Sequence, residues 1–376
     1  MPYKNIKTGI RRRNILAWFL AIFLMLFYAL LYWDKEIDEK IIPFLQVLFP
    51  GFRFSCEQFM AKLSQKVDFL SYPLRGKGAD KWFFYGFVYT LLVVVMGLRF
   101  IRHYRHEKYQ VYRTVSVMGV QLVLAFLVPS LLQKANVKEF YFSYFWPLKI
   151  EYFLPSALYE LPRAFFYWGV FMSFIAVPVL TYFFGKRWYC SWVCGCGALA
   201  NTAGDDFRHL STKTEFSWKL EKITIYSILV IAIVMTAILF INHFRAIPDT
   251  FSEFAFALQR WYFFFIGAGF AGVVGTGFYP LAGTRVWCRF GCPLAAILGI
   301  LQVTISRFRI TTNHGLCIAC GNCSTYCEMG IDVRAYAMRG EDIRRAACVG
   351  CGICQAVCPR GVLRLENRVL GLRQSK

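Results

Sequence analysis

The chain has 376 residues, 57% hydrophobic and only 17% charged, with a mean hydropathy of +0.44. A soluble globular domain is nearer half apolar and a quarter charged, so the composition excludes both a soluble enzyme and a disordered chain and indicates a membrane protein. A net charge of +21 and 14 cysteines would also suit a nucleic-acid binder or a disulfide scaffold, and where those residues fall decides against both.

Six charge-free apolar stretches are long enough to cross a bilayer: 15–33, 82–98, 114–133, 164–185, 223–242 and 261–284. In lipid such stretches must be helical, because no water is present to satisfy the backbone. The first follows Arg11-Arg12-Arg13 but has no small-residue cleavage site after it, so it reads as a retained signal anchor. With the N-terminus placed in the cytoplasm, segments 1–14, 99–113, 186–222 and 285–376 carry 29 Lys+Arg against 10 Asp+Glu. The other three connections carry 14 against 12. The positive-inside rule then puts both termini in the cytoplasm, in what is expected to be a prokaryotic inner membrane. The charge thus marks a membrane face and gives no reason to expect nucleic acid.

Between the spans, residues 41–50 read as interfacial, the aromatic segment 140–159 as a lid on the bundle, and Cys56 as a small buried residue. His103 and His106 sit in a basic loop. Asp205 and Asp206 beside Arg208 and His209 read as a helix cap or a contact with the C-terminal domain, without a catalytic role. Gly267, Gly269, Gly272, Gly275 and Gly277 read as a close-packing face. No pair of intramembrane histidines is available for haem b, and no Cys-x-x-Cys-His, Walker loop or Rossmann glycine pattern occurs in suitable context. Haem, ATP and NAD are therefore not expected.

The spans end in matching sequences twice. Gly185-Lys186-Arg187-Trp188-Tyr189-Cys190 leads to Cys194, and Gly283-Thr284-Arg285-Val286-Trp287-Cys288 leads to Cys292. Paired repeats of this kind often build a site at their pseudo-symmetry axis. Cys190, Cys194, Cys288 and Cys292, with Cys196 as an alternative ligand, are candidates for one thiolate site at the cytoplasmic edge. It would be a further iron–sulfur cluster, a redox dithiol pair or a Cu/Zn site. Residues 293–306 are too short to span and read as an interfacial or re-entrant connector.

The strongest signal comes last. Cys317-x2-Cys320-x2-Cys323-x3-Cys327 and Cys348-x2-Cys351-x2-Cys354-x3-Cys358-Pro359 are two copies of the bacterial ferredoxin run. Three close thiolates wrap one cubane and the fourth reaches the other. One [4Fe–4S] cluster is therefore expected on Cys317, Cys320, Cys323 and Cys358, and a second on Cys348, Cys351, Cys354 and Cys327. Glu328 stands where the second copy has Pro359, a departure read as touching no ligand.

The expected fold is mainly α. A cytoplasmic N-terminus (1–14) leads into a six-helix transmembrane bundle (15–292). The connector (293–306) then joins it to a small α+β two-cluster ferredoxin-like domain (307–376) of net charge +6.

Residues 164–376 resemble the membrane polyferredoxins: the NapH quinol-dehydrogenase subunit, the C-terminal region of NosR, and the CcoG/RdxA/FixG proteins. The resemblance rests on the eight ferredoxin cysteines and on Cys288-x3-Cys292-Pro293. The first motif departs from it at Gly195. It implies a membrane iron–sulfur redox subunit, working in lipid with redox-protein partners in a multisubunit complex and with quinone. The CcoG likeness implies, as an alternative, a copper-handling maturation factor for a respiratory metalloenzyme.

Overall fold

The computed structural model describes residues 15–49, 54–244 and 250–367. The N-terminal segment 1–14, expected on the cytoplasmic side, lies outside them. Among the described residues, six helices are long and apolar enough to cross a membrane: Ile15–Leu48, Lys81–His103, Lys108–Lys134, Arg163–Phe184, Glu215–Phe244 and Thr250–Gly277. They are called the first to sixth spans below.

Their ends follow local chemistry. Asp80 caps the second span by accepting from the Phe83 N–H at 2.8 Å, and Arg75 holds the same carboxylate at 2.5 Å. The buried Asp34 of the first span pairs with Lys81 at 2.5 Å, pinning the first two spans together. The first span continues helically to Leu48, through the segment the sequence reads as interfacial. It packs closely on the sixth, where a Cβ at Gly272 would lie 2.5 Å from the Tyr32 ring and one at Gly277 would collide with Met25. Cys56 is buried at the head of helix Cys56–Gln65.

The fourth span stops at Gly185 (φ +66°), and after the sixth the short helix Tyr279–Ala282 stops at Gly283 (φ +89°). Positive φ is open to glycine without a Cβ clash. After each break a one-turn helix carries the first cysteine of the motif (Arg187–Cys190, Val286–Phe290). The second cysteine then stands directly before a further helix, Gly195–Asn201 or Pro293–Thr304. The repeat read in the sequence is therefore a repeat of structure. In helix Pro293–Thr304, read from the sequence as an interfacial or re-entrant connector, Leu294, Ala295, Ala296, Leu298, Gly299 and Gln302 are buried, and it packs on the fourth and fifth spans.

The C-terminal part has one two-stranded antiparallel sheet. Strand β1 (Phe308–Thr312) pairs with β2 (Leu363–Asn367), from Phe308 opposite Asn367 to Thr312 opposite Leu363. Short helices Asn322–Thr325, Val333–Arg339 and Ile353–Ala356 complete it. One apolar core runs without a break through both parts, taking in Cys190, Trp287, Cys292, Leu298, Phe308, Ile310 and Cys354.

The segment read as a lid is instead inserted into the bundle. Phe140 and Phe145 are fully buried, the Tyr189 hydroxyl donates to the Ser143 carbonyl at 2.8 Å, and the Phe145 and Tyr189 rings lie 5.2 Å apart.

Candidate functional site

Cys317, Cys320, Cys323 and Cys358 line one cavity in the ferredoxin-like part. Cys320 is exposed and Cys323 buried, so this set reaches the surface. In the other set Cys348 and Cys354 are buried and Cys327 and Cys351 half-buried. Cys348 has Cys351 and Cys327 as electrostatic neighbours, and Cys354 has all three. The fourth cysteine of each run thus lies with the other run's first three. Gly350 (φ +60°) and Gly352 (φ +74°) turn the second loop. A Cβ at Gly350 would sit 2.6 Å from Arg187 Cβ, and one at Gly352 2.8 Å from the Tyr109 ring.

That inner loop is seated by side chains from the membrane part. The Tyr109 hydroxyl donates to the Gly350 carbonyl at 2.7 Å. Gln110 Nε2 and Arg113 Nη1 donate to the Cys351 carbonyl at 3.0 and 2.7 Å. Gln302 Nε2 donates to the Cys348 carbonyl at 2.8 Å, and Ser191 Oγ to the Val349 carbonyl at 2.7 Å. Burial pushes the Cys348 thiol up to about 12 and the Cys351 thiol to about 11, so taking up a cluster requires the loss of protons at both.

The two paired motifs converge as well. Cys190 lies within electrostatic reach of Cys194 and Cys288, and Cys292 of Cys288, Cys190 and Cys194. All four are buried. Buried Arg285 directs Nη1 to the Cys190 carbonyl at 3.2 Å and to Cys288 Sγ at 3.6 Å. Buried Lys186 is a second cation beside them. Cys292 precedes helix Pro293–Thr304 and accepts from the Ala295 N–H at 3.4 Å. Gly197 is required at its position, because a Cβ would collide with the Cys190 carbonyl. Cys196 neighbours Cys194, with the buried Tyr28 and Tyr279 and the half-buried Tyr89 and Tyr144 within electrostatic reach.

The motif loops fold back between the spans rather than lying beyond their ends. Gln121 Nε2 donates to the Val193 carbonyl at 2.7 Å, and the Tyr89 hydroxyl to the Gly195 carbonyl at 2.7 Å. Gln121 is about 20 Å along the third span from Lys108, at 1.5 Å per residue. Tyr28, beside Cys196, is equally far along the first. Irregular backbone at such depth is tolerated because protein groups satisfy it.

Sequence reading missed the charges between the two inner cysteine sets. Glu328, 1% exposed, places Oε2 2.6 Å from Arg208 Nη1. Its Oε1 lies 3.0 Å from Arg285 Nη2, an ion pair without hydrogen-bond alignment. Burial would raise the Glu328 carboxyl, but Arg208, Arg285 and Arg113 outweigh it and hold it down to about 2. The one available signal was Glu328 standing where the sister run has proline.

Among the described residues, no three His, Cys, Asp or Glu side chains are close enough to hold one metal ion. A cubane spreads its four thiolates around a core of iron and sulfide instead, and both ferredoxin sets fit that pattern. The comparisons agree. A 4Fe-4S dicluster domain family matches residues 316–366, and a 4Fe-4S binding domain family matches 166–214 and 262–311, the two motif-bearing stretches. The "Putative electron transport protein YccM" of Escherichia coli (strain K12) is 25% identical over 172 residues, 43% of this chain. The match spans 46% of that relative's length. No solved structure matches.

These findings define the class: a protein with six helices long and apolar enough to cross a membrane among its described residues, and with [4Fe–4S] clusters in its ferredoxin-like part. Both matching families are 4Fe-4S binding domains, and the relative's name is that of an electron transport protein.

Proposed function

We propose that the chain carries electrons along an ordered line of three centres: the Cys317/Cys320/Cys323/Cys358 cluster, the Cys348/Cys351/Cys354/Cys327 cluster, and a further cluster on Cys190, Cys194, Cys288 and Cys292. The observation that carries this reading is the graded burial of the sets. The first has an exposed thiol, the second lies beneath the third span's side chains, and the third is wholly buried, its first loop reaching Gln121 about 20 Å along the third span. Bound clusters would supply one-electron steps, with potentials set by hydrogen bonding, charge and exposure. The chain's own residues fix the loops that hold them, exclude water from the two inner sets, and surround these with cations.

The exposed Cys320 face exchanges electrons with a cytoplasmic redox protein, both termini lying on that side of a prokaryotic inner membrane. The deep site passes them to the quinone pool or to an extracytoplasmic reductase system, as in a NapH-like or NosR-like subunit of a larger complex. A cavity of about 400 Å3 supports the quinone link. It reaches Cys288 and is lined by Trp218, Ile225, Tyr226, Ile300, Lys186 and Arg345, apolar walls with a basic rim. That size and lining suit a small amphiphile's head group.

Anaerobically purified protein tests the reading through quinol-dependent or ferredoxin-dependent reduction of its clusters. Quinol-dependent reduction that disappears in Cys288→Ser, with both ferredoxin clusters retained and still reduced by ferredoxin, supports it. Unchanged quinol-dependent reduction in that variant contradicts it. Copper bound by the wild type and lost in Cys288→Ser would favour the maturation-factor reading instead.

A further inference from the structure

Between the inner ferredoxin set and the deep cysteines lies a closed group of charges. Arg113, Arg208 and Arg285 are each at most 1% exposed, and Glu328 and Asp205 are the carboxylates among them. Glu328 directly follows Cys327, and it touches Arg208 and Arg285 at once. Arg285 in turn contacts Cys288 Sγ and the Cys190 carbonyl, while Arg113 contacts the Cys351 carbonyl. Asp205 is tied to Arg208 Nε at 2.5 Å, so Glu328 is the carboxylate paired to both arginines. Buried ions stay in place only when paired, and removing one partner leaves the others uncompensated.

The chain contains its own comparison. The two runs are equivalent up to their fourth cysteine. The run whose next residue faces the membrane part has glutamate, and the run whose next residue lines the outer cavity has Pro359. The acid occurs where the buried arginines are.

We propose that Glu328 is a positioning residue that ties the inner cluster to the deep cysteine centre and, by its charge, sets the inner cluster's potential. This rests on the electron-transfer reading above. A cluster held by four thiolates becomes more negative on reduction, so a nearby carboxylate disfavours the reduced form and a nearby guanidinium favours it. Glu328 opposes three buried arginines. Without its charge, only Asp205, paired to Arg208, opposes their field at the inner cluster.

Redox-titrated EPR of the full-length, cluster-loaded protein tests this. Glu328→Gln is expected to raise the inner cluster's midpoint by at least tenfold in its one-electron equilibrium, about 59 mV, and to leave the outer cluster near its wild-type value. Glu328→Asp keeps the charge and is expected to stay near wild type. Arg208→Gln removes a cation and is expected to move the inner midpoint the opposite way, which loosening of the fold would not do. If Glu328→Gln does not assemble, the Arg208→Gln and Glu328→Asp pair decides by the same signs. An unmoved inner midpoint, equal shifts of both clusters, or shifts of the same sign in Glu328→Gln and Arg208→Gln would overturn the proposal. The wild-type iron count tests the deep centre separately, so either claim can fail alone.

Discussion

Ser191 Oγ donates a 2.7 Å hydrogen bond to the Val349 carbonyl, joining the residue after Cys190 to the residue after Cys348. Both residues are fully buried. The contact sets the spacing between the inner ferredoxin loop and the deep cysteine loop, and so the gap an electron has to cross. Ser191→Ala leaves a buried carbonyl short of its partner, at a cost of about 1–3 kcal/mol. The expected result is a lower thermal midpoint and slower reduction of the deep centre from the ferredoxin side, with iron content unchanged. Stopped-flow optical reduction and a thermal melt check it.

The exchange of fourth cysteines between the runs predicts a pattern in double variants. Cys320→Ser and Cys358→Ser should each lose one cubane, about four irons. The double variant should lose no more than either single, because both residues serve one cluster. If each run instead held its own cluster, the double variant would lose both. Iron and sulfide analysis of the three variants decides.

Gly197→Ala should abolish the deep cysteine site, since its Cβ would meet the Cys190 backbone, which has no room to move aside. Gly119 is the control. A Cβ there meets nothing within 4 Å, and Gly→Ala within a helix stabilises by up to about 1 kcal/mol. Iron content should fall in the first variant and hold in the second.

Val303 lies at the cavity reaching Cys288 and is 40% exposed. Val303→Trp should fill that mouth and slow quinol-dependent reduction several-fold. Dithionite reduction and metal content should be unchanged. Equal quinol rates in variant and wild type would detach the cavity from the quinone step.

What the sequence made legible was whatever is encoded within a few residues. Apolar runs marked the six helices, and the three-residue cysteine spacing marked the two ferredoxin loops. The matching of Gly185–Cys194 with Gly283–Cys292 marked a pair of breaks that the backbone reproduces in detail. What stayed hidden depends on partners far apart in the chain. Glu328 reads as a small departure from a motif until Arg208 and Arg285 stand beside it, 120 and 43 positions earlier. The depth of the cysteine loops is fixed by Gln121 and Tyr89, polar groups inside apolar spans whose hydrogen bonds reach residues 72 and 106 positions later. The aromatic segment 140–159 reads as a cover because hydropathy records affinity for an apolar setting and not which interior accepts it. Asp205 and Asp206 beside Arg208 and His209 read as a helix cap or a contact with the C-terminal domain, and in the structure it is Arg208 that pairs with Glu328.

The central claim is a third iron–sulfur centre at Cys190, Cys194, Cys288 and Cys292, deep in the bundle and in line with the two ferredoxin clusters. The most direct measurement is the iron, sulfide and copper content of anaerobically purified protein, wild type against Cys288→Ser, each with a redox-titrated EPR spectrum. The account predicts about twelve irons and no copper in the wild type. It predicts about eight in the variant, with one paramagnetic centre lost and two retained. About eight irons in both proteins, with identical spectra, would contradict it.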